Sequence, residues 1–176
     1  MAVTLKEIEG TPMDWPEKPL HLSKAAKAID RKFVWQRIEA YIAFRFSPRS
    51  IVWIAEGPGY WLPPLSPASI SVFDIWANDA WEFITAPPGS PLGGFNLPCA
   101  AHYRFSGIVG AAPVPEIVDE AYARLAEYLA NVTPSNGVRR EEVTDIGSVE
   151  YDMAAVARAM ERSGAADLLR TYRRPS

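Results

Sequence analysis

The feature that most constrains this fold is a change in the spacing of apolar residues along the chain. Over residues 24–46, and again over residues 115–132, apolar side chains recur every three or four positions, which is the period of an amphipathic helix. Between them, over residues 49–109, short runs of β-branched and aromatic residues are bounded by proline or glycine, which is typical of strands. The chain therefore predicts an α+β fold in which a small helical bundle carries a β-strand insertion.

The two helical segments differ in how clearly they are marked. The helix predicted over residues 115–132 keeps its apolar spacing without a miss, has acidic residues in its first turn and is followed by Pro134. The segment over residues 24–46 follows Ser23, a good N-cap, and is either one helix or a broken pair.

The insertion contains one predicted hairpin and two long connections. Asn78-Asp79 separates two strand-like runs, as in a tight hairpin turn. The connections, residues 57–67 and 86–98, are rich in proline, and long connections in compact domains are often functional. The first of them contains Tyr60-Trp61, whose rings either form a contact surface or cap the sheet.

Both ends of the chain differ from the core predicted over residues 23–134. Residues 1–22 mix prolines with scattered charges and predict an irregular N-terminal leader. Residues 135–176 contain spaced apolar residues, too few for a core of their own, and predict an extended C-terminal arm that packs on a partner or on its own domain. The alternative for its basic end is a disordered tail.

Composition argues against several classes of function. A formal net charge of -3 does not indicate tight general binding to nucleic acid. The single cysteine, Cys99, excludes an internal disulfide and a thiolate metal site. No apolar run approaches the ~18 residues of a membrane span and no signal-peptide pattern is present, so we expect a protein made in the cytoplasm without membrane contact.

The sequence also offers no convincing catalytic constellation. No nucleophile-elbow or phosphate-loop motif occurs, and we expect no cofactor, no metal ion and no enzyme activity. The enzymatic alternative is a small hydrolase that uses His102 with a carboxylate or with Cys99. We favour a polar strand residue as the interpretation of His102.

The order of these segments resembles a known family. The order comprises a helix, an insertion with Trp61-Leu62-Pro63-Pro64-Leu65, a helix led by Pro113-Val114-Pro115, an arm, and the ending Leu168-Leu169-Arg170-Thr171-Tyr172-Arg173-Arg174. It resembles the head-tail adaptor, or connector, proteins of siphophages and of gene transfer agents. The resemblance covers about residues 24–174.

The resemblance implies a structural protein of the virion neck. Such a protein forms a homo-oligomeric ring, expected to be dodecameric. The ring lies between the portal protein and the stopper that begins the tail, and DNA passes through its lumen without sequence-specific binding. The expected portal contacts are Leu168, Leu169, Tyr172, Arg173 and Arg174. The expected contacts with the stopper or a neighbouring subunit are Tyr60, Trp61, Val143, Val149 and Tyr151. A stopper or tail-completion protein is the alternative within the same class.

Overall fold

The computed structural model describes residues 2–110, 113–132 and 158–173. These residues form two compact units. A β unit contains residues 2–14 and 43–110, and a helical unit contains the described residues of 15–42 and 113–173. The predicted α+β class is confirmed as a mixed fold with helices and an antiparallel sheet.

The β unit is built on a five-stranded antiparallel sheet. Its strands are, in chain order, β1 (Val3–Glu9), β2 (Arg49–Glu56), β3 (Gly59–Trp61), β4 (Ala68–Ala77), β5 (Ala80–Phe83), β6 (Phe95–Leu97) and β7 (His102–Val109). The sheet order is β1-β2-β7-β4-β5, and β3 pairs with β6 in a separate two-stranded sheet. Strands β2 and β7 therefore begin and end where the sequence places the insertion, at residues 49 and 109.

The core of the β unit lies on one face of this sheet, which we call the inner face. The register aligns Trp53 of β2, Phe105 of β7 and Phe73 of β4 in one cross-strand row. Trp61 of β3 stacks on Phe105 with ring centroids 4.1 Å apart, and Phe95 of β6 lies 5.3 Å from Phe73. The β3–β6 pair therefore covers the inner face.

Strand β1 corrects the predicted irregular leader. The sequence predicts no regular element in residues 1–22, but Val3–Glu9 pairs antiparallel with β2. A core tryptophan also holds the strand, because Trp53 Nε1 donates a hydrogen bond of 2.7 Å to Glu7 Oε2. The strand depends on partners more than 40 residues away in sequence, which the local pattern does not show.

An ion cluster fixes the end of β1. Arg45 donates to both carboxylate oxygens of Glu9, at 2.6 and 3.2 Å, and Arg49 Nη1 donates to Oε1 at 2.9 Å. Partial burial alone would raise the pKa of Glu9, but the hydrogen bonds and charges of the two arginines outweigh it and lower that pKa. The cluster joins β1 to the segment that leads into β2.

The hairpin between β4 and β5 forms as predicted. Ala77 pairs with Ala80, and the two residues between them, Asn78 and Asp79, have φ angles of 49° and 58°. Asn and Asp tolerate this left-handed region better than most residues, which is why they suit such a turn.

The helical unit contains α1 (Lys24–Ala28), α2 (Arg31–Tyr41), α3 (Glu116–Val132), α4 (Ala159–Arg162), α5 (Ala165–Leu168) and a 3₁₀ turn (Arg170–Tyr172). The segment predicted as one helix or a broken pair is a broken pair. Ser23 Oγ accepts from the Ala26 amide at 3.1 Å to cap α1, and Asp30 accepts from the Lys32 amide at 3.0 Å to cap α2.

The core of this unit forms between α2, α3 and the C-terminal turns. Trp35 of α2 lies 5.2 Å from Tyr122 of α3, measured between ring centroids, and both are fully buried. Ser23 donates from its amide and its hydroxyl to the Glu127 carboxylate, at 2.7 Å each, which ties α1 to α3. In the described part of the chain, no helix combines the length and the apolar character needed to cross a membrane.

Candidate interaction surfaces

The face of the five-stranded sheet opposite the core carries exposed apolar side chains. We call it the outer face, and its apolar members are Ile8, Val52, Ile54, Val72, Trp76, Trp81, Phe83 and Ile108. Successive strand residues point to opposite faces, so these side chains alternate with those of the core. Phe83 is 74% exposed, Ile108 54% and Trp76 42%. A contiguous exposed apolar surface of this kind indicates a contact site.

Aromatic rings and one compensated charge form the centre of the outer face. Arg104 donates to Asp74 Oδ2 from Nε at 2.9 Å and from Nη2 at 2.8 Å, and Asp74 is buried. The Arg104 guanidinium lies 4.7 Å from the centroid of the Trp81 ring, and Trp76 meets Trp81 edge to face at 5.2 Å. The pair holds these rings in place and leaves the centre of the surface without net charge.

The second candidate surface is the loop of residues 86–94 between β5 and β6, which we call the tip. Tyr60 Oη donates to the Gly93 carbonyl at 2.9 Å. The Gly93 amide donates to the Ser90 carbonyl at 2.9 Å, and the Leu92 amide donates to Ser90 Oγ at 3.2 Å. These bonds hold an ordered turn, and at its apex Leu92 is 83% exposed.

The tip belongs to a long uncharged segment. Residues 84–101 contain no Asp, Glu, Lys or Arg, although these types make up 22% of the chain. Most of the segment is exposed, so the absence of charge is not explained by burial. Depletion of charge is characteristic of the centre of protein interfaces.

The tip and the outer face lie on opposite sides of the β unit. The β3–β6 pair, which carries the tip, packs on the inner face through Trp61 and Phe95. The outer face is on the other side of the same sheet. One copy of the chain therefore presents two separate apolar surfaces in opposite directions.

The two aromatic residues expected to contact a partner have different roles. Trp61 is only 2% exposed, its ring stacks on Phe105, and its Nε1 donates to Thr4 Oγ1 at 2.8 Å. This corrects the expectation of a surface contact, and of the two interpretations of Tyr60-Trp61 the capping of the sheet applies to Trp61. Tyr60 is half-buried and supports the tip.

The residues expected to contact the portal also differ in their exposure. Leu169 is fully buried in the helical unit, where the short C-terminal helices pack against α3, and this corrects its assignment as an available contact. Leu168 and Tyr172 are half-buried. Arg173 is exposed, with its guanidinium 4.8 Å from the Tyr41 ring centroid and its Nη1 3.2 Å from Tyr41 Oη. Arg174, Val143, Val149 and Tyr151 lie outside the described residues.

The structure gives His102 one of the two partners of the enzymatic alternative, because Glu56 of β2 is its cross-strand neighbour, but it does not join His102 to Cys99. His102 is exposed at the start of β7, and among the described residues no hydrogen bond joins it to Cys99. Cys99 Sγ instead lies 3.0 Å from Tyr103 Oη, and burial, followed by this hydrogen bond, raises the pKa of Tyr103. No group of three or more His, Cys, Asp and Glu residues within residues 2–110, 113–132 and 158–173 is placed to hold a metal ion.

Trp76, Phe83 and Leu92 are the contact candidates that the sequence pattern does not single out. A signal was present in β4, where Val72, Asp74 and Trp76 alternate with the inward residues Phe73 and Ile75. Both sets are mostly apolar, so one face of the strand had to remain exposed or meet a partner.

Comparison of the chain with protein-family models, with curated proteins and with solved structures gave no match. Functional conclusions therefore depend on the residues and geometry of the chain itself.

Proposed function

We propose that this chain is a structural protein of a tailed phage or phage-like particle, a head-tail adaptor that forms a ring between the portal and the stopper, and not an enzyme. The observation that carries the proposal is the outer face of the β unit, an exposed and preorganised apolar surface with no net charge at its centre. Such a surface suits assembly with another protein. The order of segments described above supplies the identity of the assembly.

The energetics favour a covered outer face. Phe83 is 74% exposed, and a phenylalanine ring that loses this exposure contributes about 2–4 kcal/mol before the costs of association. Trp76 and Arg104 add residue types that are enriched among the strongest contributors to interfaces. This free energy is not gained while the side chains remain in water, whereas in a ring their burial stabilises the contact of every subunit.

The finer architecture is part of the proposal. The helical unit corresponds to the bundle of an adaptor, and residues 49–109 correspond to its insertion, because the helices precede and follow these strands in the chain. Strand β1 is an additional strand at the edge of the inserted sheet. The extended C-terminal arm remains a prediction, since most of its residues lie outside the described ones.

The portal contact falls on the exposed side chains of the C-terminal turns. Arg173 is exposed, and its planar guanidinium suits a carboxylate or an aromatic ring of the portal. Leu168 and Tyr172 are half-buried and flank it, while Leu169 anchors the turns from inside. The net charge of -3 suits a lumen through which DNA passes without being retained.

The test is to mix the purified protein with DNA-filled, tailless heads and to image the portal vertex by cryo-electron microscopy. Arg173→Glu is the test variant, and Arg124→Glu, on an exposed arginine of α3, is the matched control. We expect a ring under the portal for the wild type and for Arg124→Glu, and a lower ring occupancy for Arg173→Glu.

Other outcomes of this experiment separate the alternatives. Binding to purified tails but not to heads would favour a stopper or tail-completion protein. Bare portals together with bare tails would overturn the proposal. A measurable turnover that His102→Ala abolishes in a folded protein would favour the hydrolase instead.

A further inference from the structure

The β unit carries two apolar surfaces with no occupant in a single copy. The tip presents Leu92, and the outer face presents Val72, Trp76, Phe83 and Ile108. We propose that neighbouring copies of the chain contact each other head to tail, with the tip of one copy packed on the outer face of the next. The inference rests on the proposed ring and names the surfaces that close it.

The position of the two surfaces determines the type of contact. A surface that meets its own copy through a two-fold axis must complement itself, whereas a head-to-tail contact needs two different surfaces that do not overlap. The tip projects from the inner side of the sheet and the outer face lies on the other side. Both can therefore be occupied at once, as every subunit of a ring requires.

The two surfaces also match in charge. The tip belongs to the uncharged segment 84–101, and the charge at the centre of the outer face is compensated by the Arg104–Asp74 pair. Contact between them leaves no charge buried without a partner, which is the costly event at interfaces. A strongly charged partner would gain nothing from either surface, whereas a second copy supplies for each surface an uncharged counterpart that every chain of the proposed ring carries.

The tip is ordered before contact. Tyr60 and Ser90 hold the backbone around Leu92 through hydrogen bonds of 2.9 to 3.2 Å. A turn that already has its bound conformation loses less conformational entropy on binding. An exposed leucine on such a turn can pack against Trp76 and Phe83 without reorganising its own loop.

Packing of the tip on the face is favoured over pairing of sheet edges. Strands β1 and β5 are the outermost strands of the described sheet, and joining them between copies would make one continuous sheet. Five strands that each turn by about 20–25° rotate one copy relative to the next by about 100–125°. A closed dodecamer needs about 30° per subunit, so edge pairing would produce a filament and not this ring.

The experiment uses one substitution on each surface. Leu92→Asp places a charge on the tip, Phe83→Asp places one on the outer face, and Met13→Asp, at a fully exposed apolar residue of the β unit, is the control. Far-UV circular dichroism confirms that each full-length variant is folded. Self-association is measured by sedimentation equilibrium over rising protein concentration, and ring occupancy is measured on tailless heads.

We expect Leu92→Asp and Phe83→Asp each to weaken self-association at least about tenfold, and Met13→Asp to leave it unchanged. An equimolar mixture of the two variants is the decisive sample. The intact tip of Phe83→Asp fits the intact face of Leu92→Asp, so the mixture forms dimers. The dimers do not grow, because the two remaining surfaces are both substituted.

Three results would overturn the inference. Self-association of Leu92→Asp at the wild-type level would show that the tip is not used. A mixture that stays monomeric would show that the two surfaces do not meet each other. A wild-type chain that neither self-associates in solution nor forms rings on heads would remove the contact altogether.

Failure of the proposed function has a different signature. If the chain is not an adaptor, the wild type self-associates through these surfaces but leaves the portal bare. If only the head-to-tail contact is incorrect, rings form on heads and both variants occupy the portal as the wild type does.

Discussion

Replacing Leu169 tests whether the C-terminal turns belong to the core of the helical unit or to a partner. The Leu169 side chain is fully buried, whereas its neighbour Leu168 is half-buried. A Leu→Ala change at a fully buried site costs about 3–5 kcal/mol, from lost burial and from the cavity that remains. Leu168→Ala is the matched control, and we expect it to cost less than about 1.5 kcal/mol because part of that side chain is already in water.

The assay is urea unfolding of the wild type and both variants, followed by circular dichroism at 222 nm, a wavelength dominated by helices. A chain of this size loses about 2–4 °C of melting temperature per kcal/mol, so in a thermal scan we expect the melting temperature of Leu169→Ala to fall by roughly 6–20 °C. Such a loss is a large part of the roughly 5–15 kcal/mol that holds a protein folded.

Two results would refute this reasoning. A loss below about 1 kcal/mol for Leu169→Ala would mean that the leucine does not support the core. Equal losses for both variants would mean that the difference in burial does not decide their roles. Under the proposed function, Leu168→Ala also lowers portal occupancy while the protein stays folded.

Three further predictions concern the local chemistry of the fold. The folded state lowers the pKa of Glu9 from its ordinary value of 4.5, so the contribution of Glu9 to stability is complete above pH 4.5 and is lost as the pH falls through the folded pKa. In urea unfolding from pH 3 to 7, the free energy of unfolding should therefore fall less on acidification for Glu9→Gln than for the wild type. Among the described residues the buried Tyr122 hydroxyl has no hydrogen-bond partner, so Tyr122→Phe should leave the free energy of unfolding unchanged or raise it by up to about 1 kcal/mol. Asp79 has a φ angle of 58°, so Asp79→Gly should raise the free energy of unfolding by about 0.5–1 kcal/mol, and the melting temperature should rise with it. Asp79→Val should lower the melting temperature.

The elements that the sequence predicts well are those decided by neighbours along the chain. Helix α3 follows from its apolar spacing and its acidic first turn, and it begins at Glu116, one residue after the predicted start. The hairpin follows from Asn78-Asp79, because few residue pairs tolerate two positive φ angles. Both patterns need no knowledge of the rest of the fold.

The elements that the sequence does not predict depend on distant partners. Strand β1 pairs with β2, and its Glu7 and Thr4 side chains accept hydrogen bonds from Trp53 and Trp61. No local pattern in a short charged segment contains that information. The burial of Trp61 is missed for a similar reason, since a ring beside a turn looks the same in sequence whether it covers a sheet or a partner.

The sequence predicts the contact surfaces only in part. Alternation along β4 assigns Trp76 to the face opposite Phe73, but sequence alone does not say which face is covered. The structure decides it, because Trp61 and Phe95 cover the Phe73 side. The tip is visible in sequence only as an uncharged stretch, and the role of Leu92 depends on the hydrogen bond from Tyr60 to Gly93.

The alternation of the two units along the chain governs the order in which a ribosome can complete them. The β unit has all its strands once residue 109 has emerged, whereas α1 and α2 wait for α3 before Val34, Trp35 and Ile38 find a partner. Helix α2 ends at Tyr41 and α3 at Val132, so the interval is roughly 90 residues of synthesis, which takes several seconds or more at about 5–20 residues per second. During this interval the nascent chain exposes the apolar side chains of α2 to solvent, which makes α2 a segment that a chaperone would bind. The yield of folded protein then depends on protecting one short helix, whereas the sheet is already complete.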